Sequence, residues 1–214
     1  MIDAQLAAYL AFTTLLVVTP GSATAIVVRN VLDGGRRQGA AAALGAAVGN
    51  STYAVLSAFG LAAVFERAPI AFTLLLYGGT AYLAALGVRT LWGAWRTTPP
   101  VLPGALEEPG TRGAGESIKT GFSQGLANNL VSPAIATFYL VVVPSFLTGT
   151  PIPSARYALF AAIQVTMAFV YHNTWVMGMH AMRAFWSRPK PRRLLETFTG
   201  VALLLLAAKV AGLI

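Results

Sequence analysis

Two prolines interrupt long apolar stretches of this 214-residue chain, each beside small polar residues: Thr19-Pro20-Gly21-Ser22 in the first half and Asn128-Asn129-Leu130-Val131-Ser132-Pro133 in the second. Proline inside a helix removes one backbone donor and frees the carbonyl a turn earlier. Beyond each break a new half-helix starts, with first amides around Ser22-Ala23 and Ala134-Ile135. Those amides lack intrahelical acceptors and carry the positive end of the helix dipole. Such ends suit an anionic group, for instance a substrate carboxylate. Pro20, Gly21 and Ser22, with Asn129, Ser132 and Pro133, are therefore expected to shape a backbone site for it. One proline in an apolar helix is commonly a plain kink; two at matching depth in two halves of a chain point to a binding site.

Other polar residues interrupt the apolar runs, and polar groups at membrane depth are costly. Gln164, Tyr171 and Trp175 recur at spacings of seven and four, so they share one helical face, with His172 beside it. Together with Asn50 they are expected to line the remainder of a cavity. The ordinary alternative for any one amide is an interhelical hydrogen bond, worth about 0.6–2 kcal/mol. No Asp or Glu is expected deep in an apolar run, which leaves His172 as the one mid-membrane group titrating near neutral pH and the first candidate for a proton carrier. A neutral histidine donating to a neighbouring helix is the plainer reading.

Motifs of covalent chemistry are sparse. Gly121-Phe122-Ser123-Gln124-Gly125 matches the nucleophile-elbow pattern, but that elbow needs a strand-to-helix turn and this match opens an apolar helix. An intramembrane serine hydrolase using Ser123 with His172 or His180 is one alternative function. There is no cysteine, so disulfides, thiolate metal sites and cysteine nucleophiles are excluded. Two histidines eight residues apart form no recognisable metal site, and no phosphate-binding Gly-x-x-x-x-Gly-Lys loop occurs. No cofactor is expected.

The elements that must position these residues follow from composition. Apolar residues make up 56% of the chain and charged residues 10%, with mean hydropathy +0.66. A soluble domain carries about 25% charged residues. The net charge of +8 does not indicate nucleic acid, because the basic residues sit in short gaps between apolar runs and not on a polar face. The expected partners are the lipid bilayer and a small solute, and a homo-oligomer is compatible with the pattern. Crossing a bilayer takes about 20 mostly apolar residues, and six segments qualify: roughly 4–29, 40–65, 70–95, 120–147, 155–182 and 194–212. Asp33-Gly34-Gly35, Pro69, Pro151 with Pro153, and Pro189 with Pro191 punctuate the gaps. Met1–Ala11 lacks the basic start of a cleaved signal peptide. The chain thus reads as an all-α membrane protein with a first three-helix half over 1–95, a flexible proline-rich linker over 96–118, and a second half over 119–214.

Lys and Arg stay on the cytoplasmic side. They cluster in the first gap (Arg29, Arg36, Arg37), the third (Arg89, Arg96, Arg112, Lys119) and the fifth (Arg183, Arg188, Lys190, Arg192, Arg193), against Arg67 and Arg156 in the other two. Both termini are then outside a bacterial cytoplasmic (inner) membrane. Three helices per half is odd, so the halves enter from opposite sides, the topology of an inverted repeat with helices one and four broken near the midplane. Gly45 and Gly49 form a small-xxx-small pair read as packing.

The sequence resembles the lysine-exporter (LysE/RhtB-type) family of bacterial amino-acid exporters. The resemblance rests on Thr19-Pro20-Gly21, on Gly35-Arg36-Arg37-Gln38-Gly39, on Ala43 through Gly49, and on Gly125 through Pro133 continuing to Pro144-Ser145-Phe146. Ser22, Ser132, Ala134 and Asn50 stand where the family usually has proline, asparagine, lysine and an acidic residue. The resemblance implies a secondary exporter of amino acids or related small metabolites. Without deep carboxylates the expected substrate is neutral or zwitterionic, not dibasic. A non-transporting membrane scaffold is the remaining alternative.

Overall fold

The computed structural model describes residues 4–67, 69–95, 114–147, 155–186 and 188–213, and these are helical with no strand among them. The helices are α1 (Ala4–Val18), α2 (Ser22–Arg67), α3 (Pro69–Trp95), α4 (Ala114–Leu130), α5 (Pro133–Ser145), α6 (Ala155–Trp186) and α7 (Pro189–Val210). Ser22–Phe59 is long and apolar enough to cross a membrane, and the pair Ile118–Leu130 with Pro133–Ser145, bent by 55°, passes the same test together.

The described breaks fall where the sequence places punctuation, with two differences, and Pro151 and Pro153 lie outside the described residues. α2 continues through the expected turn at Asp33-Gly34-Gly35 as a kink, in which Gly35 takes φ 74°, ψ −171°, a region open to glycine. Pro189 and Pro191 do not end a helix; they lie in the first turn of α7, where a missing N–H costs nothing. α4 begins at Ala114, so the C-terminal end of the expected linker is helical, while 96–113 lie outside the described residues. Inside α5, Phe138–Val142 is wound as a π-helix, with Val143 N–H donating to the Phe138 carbonyl. In that winding Pro144 would face the Tyr139 carbonyl and cannot donate to it; the Tyr157 hydroxyl does so instead, at 3.4 Å.

Three helix pairs build the molecule. The second arm of α2 runs parallel to α4 at backbone distance: a Cβ on Gly121 would lie 2.4 Å from the Gln38 carbonyl oxygen, one on Gly125 2.0 Å from that of Ala42, and one on Gly49 2.8 Å from Asn129 Cβ. α3 and α7 run antiparallel, and a Cβ on Gly200 would lie 3.0 Å from the Gly87 carbonyl oxygen. α1 and the first arm of α2 run parallel to α6, where the Tyr9 hydroxyl donates to the Phe160 carbonyl at 2.6 Å with the rings stacked at 4.3 Å. Further along, Val27, Val28, Tyr171 and Trp175 form an apolar cluster. Each of the two broken helices therefore has a parallel partner from the other half.

Polar side chains close the two ends. Beside the α2 kink, Gln38 Nε2 donates to Asn30 Oδ1 at 2.7 Å, and Asn30 Nδ2 to Gln124 Oε1 at 2.9 Å. At the other end, Tyr139 donates to Gln164 Oε1, and the Ser57 and Tyr157 hydroxyls are hydrogen-bonded. The outer surface carries large apolar side chains, including Phe59, Ile70, Leu74, Trp92, Trp95 and Met177. So many large apolar side chains left exposed are unfavourable against water and suit lipid.

Candidate functional site

The break in the first half is a short non-helical link. The Thr19 amide still donates to the Leu15 carbonyl, Pro20 has no donor, and helix resumes with the Ala25 amide bonded to the Gly21 carbonyl at 3.0 Å. The Thr19 hydroxyl bonds the Leu15 carbonyl at 2.7 Å and meets Thr199 Oγ1 of α7 at 2.8 Å. The second break is capped locally: Ser132 Oγ accepts from the Ile135 amide at 3.5 Å, with Pro133 in the first turn. Its companion Asn129, 1% exposed, donates to the Ala46 carbonyl and to Asn50 Oδ1, both at 2.9 Å, and accepts from Asn128 at 3.0 Å. α2 thereby fixes the break in its parallel partner.

Each break also receives a tyrosine hydroxyl from the other half. Tyr171 of α6 donates to the Val18 carbonyl at 2.7 Å, two residues before Pro20. Tyr53 of α2 donates to the Leu130 carbonyl at 2.7 Å, three residues before Pro133. These carbonyls are among those a helix end leaves without an amide donor.

Both breaks open onto one cavity of about 740 Å³. Of the residues expected to form the site, Pro20, Gly21, Ser22, Asn50, Asn129, Ser132, Pro133, Gln164 and His172 border it. Tyr171 and Trp175 do not. Trp175 is fully buried among Val27, Val28, Ala42 and Ala43, and Tyr171 is engaged with the Val18 carbonyl. Seven- and four-residue spacings do place them on the face of Gln164, but that face runs from the cavity onto the packed flank of α1 and α2.

Arg89, toward the C-terminal end of α3, and Glu196, toward the N-terminal end of α7, also line the cavity, and the sequence reading had not counted them as site residues. Glu196 lies one turn from Thr199, which contacts Thr19 at the break, and its Oε2 is 3.9 Å from where a Cβ on Gly93 would lie. The signal was present as helical faces: Tyr82, Leu86, Arg89 and Gly93 on α3, and Glu196, Thr199 and Leu203 on α7, are spaced by three and four.

A family model described as LysE type translocator matches residues 14–212. The chain belongs to that family. It is 25% identical over 199 residues to an uncharacterized membrane protein of Bacillus subtilis, covering 93% of this chain and 94% of that one. It is 26% identical over 205 residues to a homoserine/homoserine lactone efflux protein of Salmonella typhi, covering 96% and 95%. It is also 24% identical over 212 residues to a leucine efflux protein of an Enterobacter species, covering 96% and 94%. No solved structure matches.

Family membership makes this a membrane-bound translocator and not an enzyme. The hydrolase alternative also has no geometric support. Ser123 is exposed on α4, donates to the Thr120 carbonyl of its own helix at 3.0 Å, and does not border the cavity that His172 lines. The side chain of His180 lies outside the described residues. The glycines of the Gly-x-Ser-x-Gly match are those that admit the backbone of α2.

Proposed function

We propose that this LysE-type translocator is a secondary exporter of amino acids or closely related small metabolites, neutral or zwitterionic, with its substrate held where the two broken helices meet. The observation that carries the reading is the shared cavity: both proline breaks, from opposite halves of the chain, border one space of about 740 Å³. That volume lies within the range of small-molecule sites. The half-helix starts at Ser22 and Pro133 offer amides and dipole ends to a carboxylate. The efflux proteins among the relatives, named for leucine and for homoserine and its lactone, support the same class of solute.

The topology proposed is six spans in two inverted halves, with α1 and the first arm of α2 as one broken span and α4 with α5 as the other. The parallel pairing of each broken helix with a partner from the other half supports it, as does the reciprocal tyrosine bonding. The clustering of basic residues supports a cytoplasmic α2 kink and linker, with both termini outside a bacterial inner membrane. The cavity extends along α3 to Gly93, near that helix's C-terminal end, and so toward the cytoplasm. Rocking of the halves about the tight glycine contacts would then expose the site to the other face.

The test is efflux from oriented proteoliposomes loaded with radiolabelled neutral, acidic and basic amino acids, with and without a pH gradient. Efflux of one class, lost when Pro20 and Pro133 are both replaced by alanine in protein that still inserts, is the expected result. Efflux of none of them from folded protein refutes amino-acid export. A pH dependence that disappears in His172→Gln would assign the proton carrier.

A further inference from the structure

The end of the molecule nearest its termini is closed by a plug of aromatic and apolar side chains. Tyr9, Tyr139, Tyr157 and Phe160 are 0–2% exposed there, and Leu206 and Ala207 pack with them. The cavity stops beneath this plug, at Phe138, Val142 and Leu203, and runs from there toward Gly93. A solute leaving on the side of the termini has to part the plug. One element in it has two available windings. Phe138–Val142 is a π-turn, in which the Val143 amide donates to the Phe138 carbonyl. An α-winding would move that donor to the Tyr139 carbonyl, four residues back. Side chains hold the π-winding. The Tyr157 hydroxyl, itself bonded to that of Ser57, occupies the Tyr139 carbonyl at 3.4 Å, and the Tyr139 hydroxyl donates to Gln164 Oε1. Gln164 also borders the cavity, so this bond is within reach of a bound solute. π-turns inside α-helices recur at functional sites, and passing the extra residue along the helix turns each side chain it passes by about 100°.

We propose that the π-turn Phe138–Val142 is the outer gate of the exporter, latched shut by Tyr139 on Gln164 and by Tyr157 on the Tyr139 carbonyl. This rests on the export reading and adds the device by which the site opens outward. Opening rewinds the turn as α-helix. The Val143 amide then replaces the Tyr157 hydroxyl on the Tyr139 carbonyl, and the Val142 amide supplies the Phe138 carbonyl. Tyr139 leaves Gln164, and Phe138 and Val142 swing off the outer end of the cavity. Backbone bonds are exchanged and not lost, so the two windings differ mainly by the two hydroxyl contacts. A two-state element requires this: each state satisfies its backbone polar groups, and a few side-chain bonds decide between them. Tyr9 belongs to the plug but not to the latch, since its hydroxyl bonds the Phe160 carbonyl of α6 at 2.6 Å.

The chain has no cysteine, so a single Ala207→Cys in the plug reports opening. The full-length protein in oriented proteoliposomes is exposed, on the side of the termini, to a charged, membrane-impermeant methanethiosulfonate, and the rate of labelling is read. The Ala207→Cys parent is expected to label slowly. Tyr139→Phe, Gln164→Leu and Tyr157→Phe, each added to it, should raise the rate about 3- to 15-fold, one membrane hydrogen bond expressed as an equilibrium ratio. Tyr139→Phe combined with Gln164→Leu should exceed neither single change, because both remove the same bond. Tyr9→Phe, which removes a hydroxyl bond of the plug outside the latch, should leave the rate as it is. An equal rise with Tyr9→Phe would show general loosening of the plug and overturn the gate, as would no rise with any latch variant. A rise confined to the latch variants supports the gate even where the efflux assay finds no exported amino acid, so the gate and the export reading fail separately.

Discussion

Gly125 tests the tightest of the glycine approaches among the described residues. A Cβ there would lie 2.0 Å from the Ala42 carbonyl oxygen, 2.8 Å from its carbon and 3.0 Å from the Ala46 amide nitrogen, whereas real Cβ contacts essentially never fall below 3.0 Å. The obstructing atoms are helical backbone, which cannot rotate aside, so Gly125→Ala forces α2 and α4 apart by at least about 1 Å. One turn away, Asn129 bonds the Ala46 carbonyl and Asn50 Oδ1 at 2.9 Å each. A further ångström takes both to about 4 Å, beyond hydrogen-bonding reach. Overpacking costs about 1–3 kcal/mol, and two membrane hydrogen bonds add about 0.6 kcal/mol each. Replacing glycine by alanine within a helix returns about 1 kcal/mol. The expected net loss is about 1–3 kcal/mol, with efflux strongly reduced because the second break is no longer held. Gly78→Ala is the control, since no atom lies within 4 Å of the added methyl and only the gain in helix propensity remains. Unfolding in mixed micelles at rising SDS fraction measures both. A Gly125→Ala protein as stable as Gly78→Ala would refute the backbone contact between α2 and α4, and with it the argument that α2 fixes the break in α4.

Removing the Tyr171 hydroxyl as phenylalanine should cost about 1 kcal/mol, within the range of membrane hydrogen bonds, because its bond to the Val18 carbonyl is partly buried. Tyr53→Phe should cost a similar amount, since its bond to the Leu130 carbonyl is exposed on the molecule and so faces lipid, with no water to replace it; the same SDS titration measures both, and no loss in either variant would contradict the argument that these hydroxyls hold the breaks. Asn129→Ala removes the donor to both Ala46 and Asn50, and should lower efflux at least tenfold while costing about 1–2 kcal/mol of stability. Pro20→Ala with Pro133→Ala should leave the protein folded, because each helix can regain an amide donor, yet eliminate efflux; retained efflux would favour the scaffold reading.

Much of the lining of the candidate cavity was legible from local chemistry, because a proline beside small polar residues in an apolar run has few outlets for its backbone groups. That logic located both breaks, and amide cost at depth located Asn50, Asn129 and Gln164. It misplaced Tyr171 and Trp175, since helical periodicity gives a shared face without saying which stretch of it borders space and which borders another helix. The Gly-x-Ser-x-Gly match shows the converse: its glycines report how closely α2 approaches, which depends on a partner some 80 residues away and has no local signature. Arg89 and Glu196 were hidden for a third reason. Basic residues near a span end are normally read as setting orientation, and an acidic residue beside them as loop solvation. The packing of α3 against α7, close at Gly87 and Gly200, brings both to the cavity wall. Widening that contact with Gly200→Ala, whose Cβ would lie 2.6 Å from Leu91 Cγ and 3.0 Å from the Gly87 oxygen, should lower stability in the same SDS titration and reduce efflux, although none of the three residues borders the cavity.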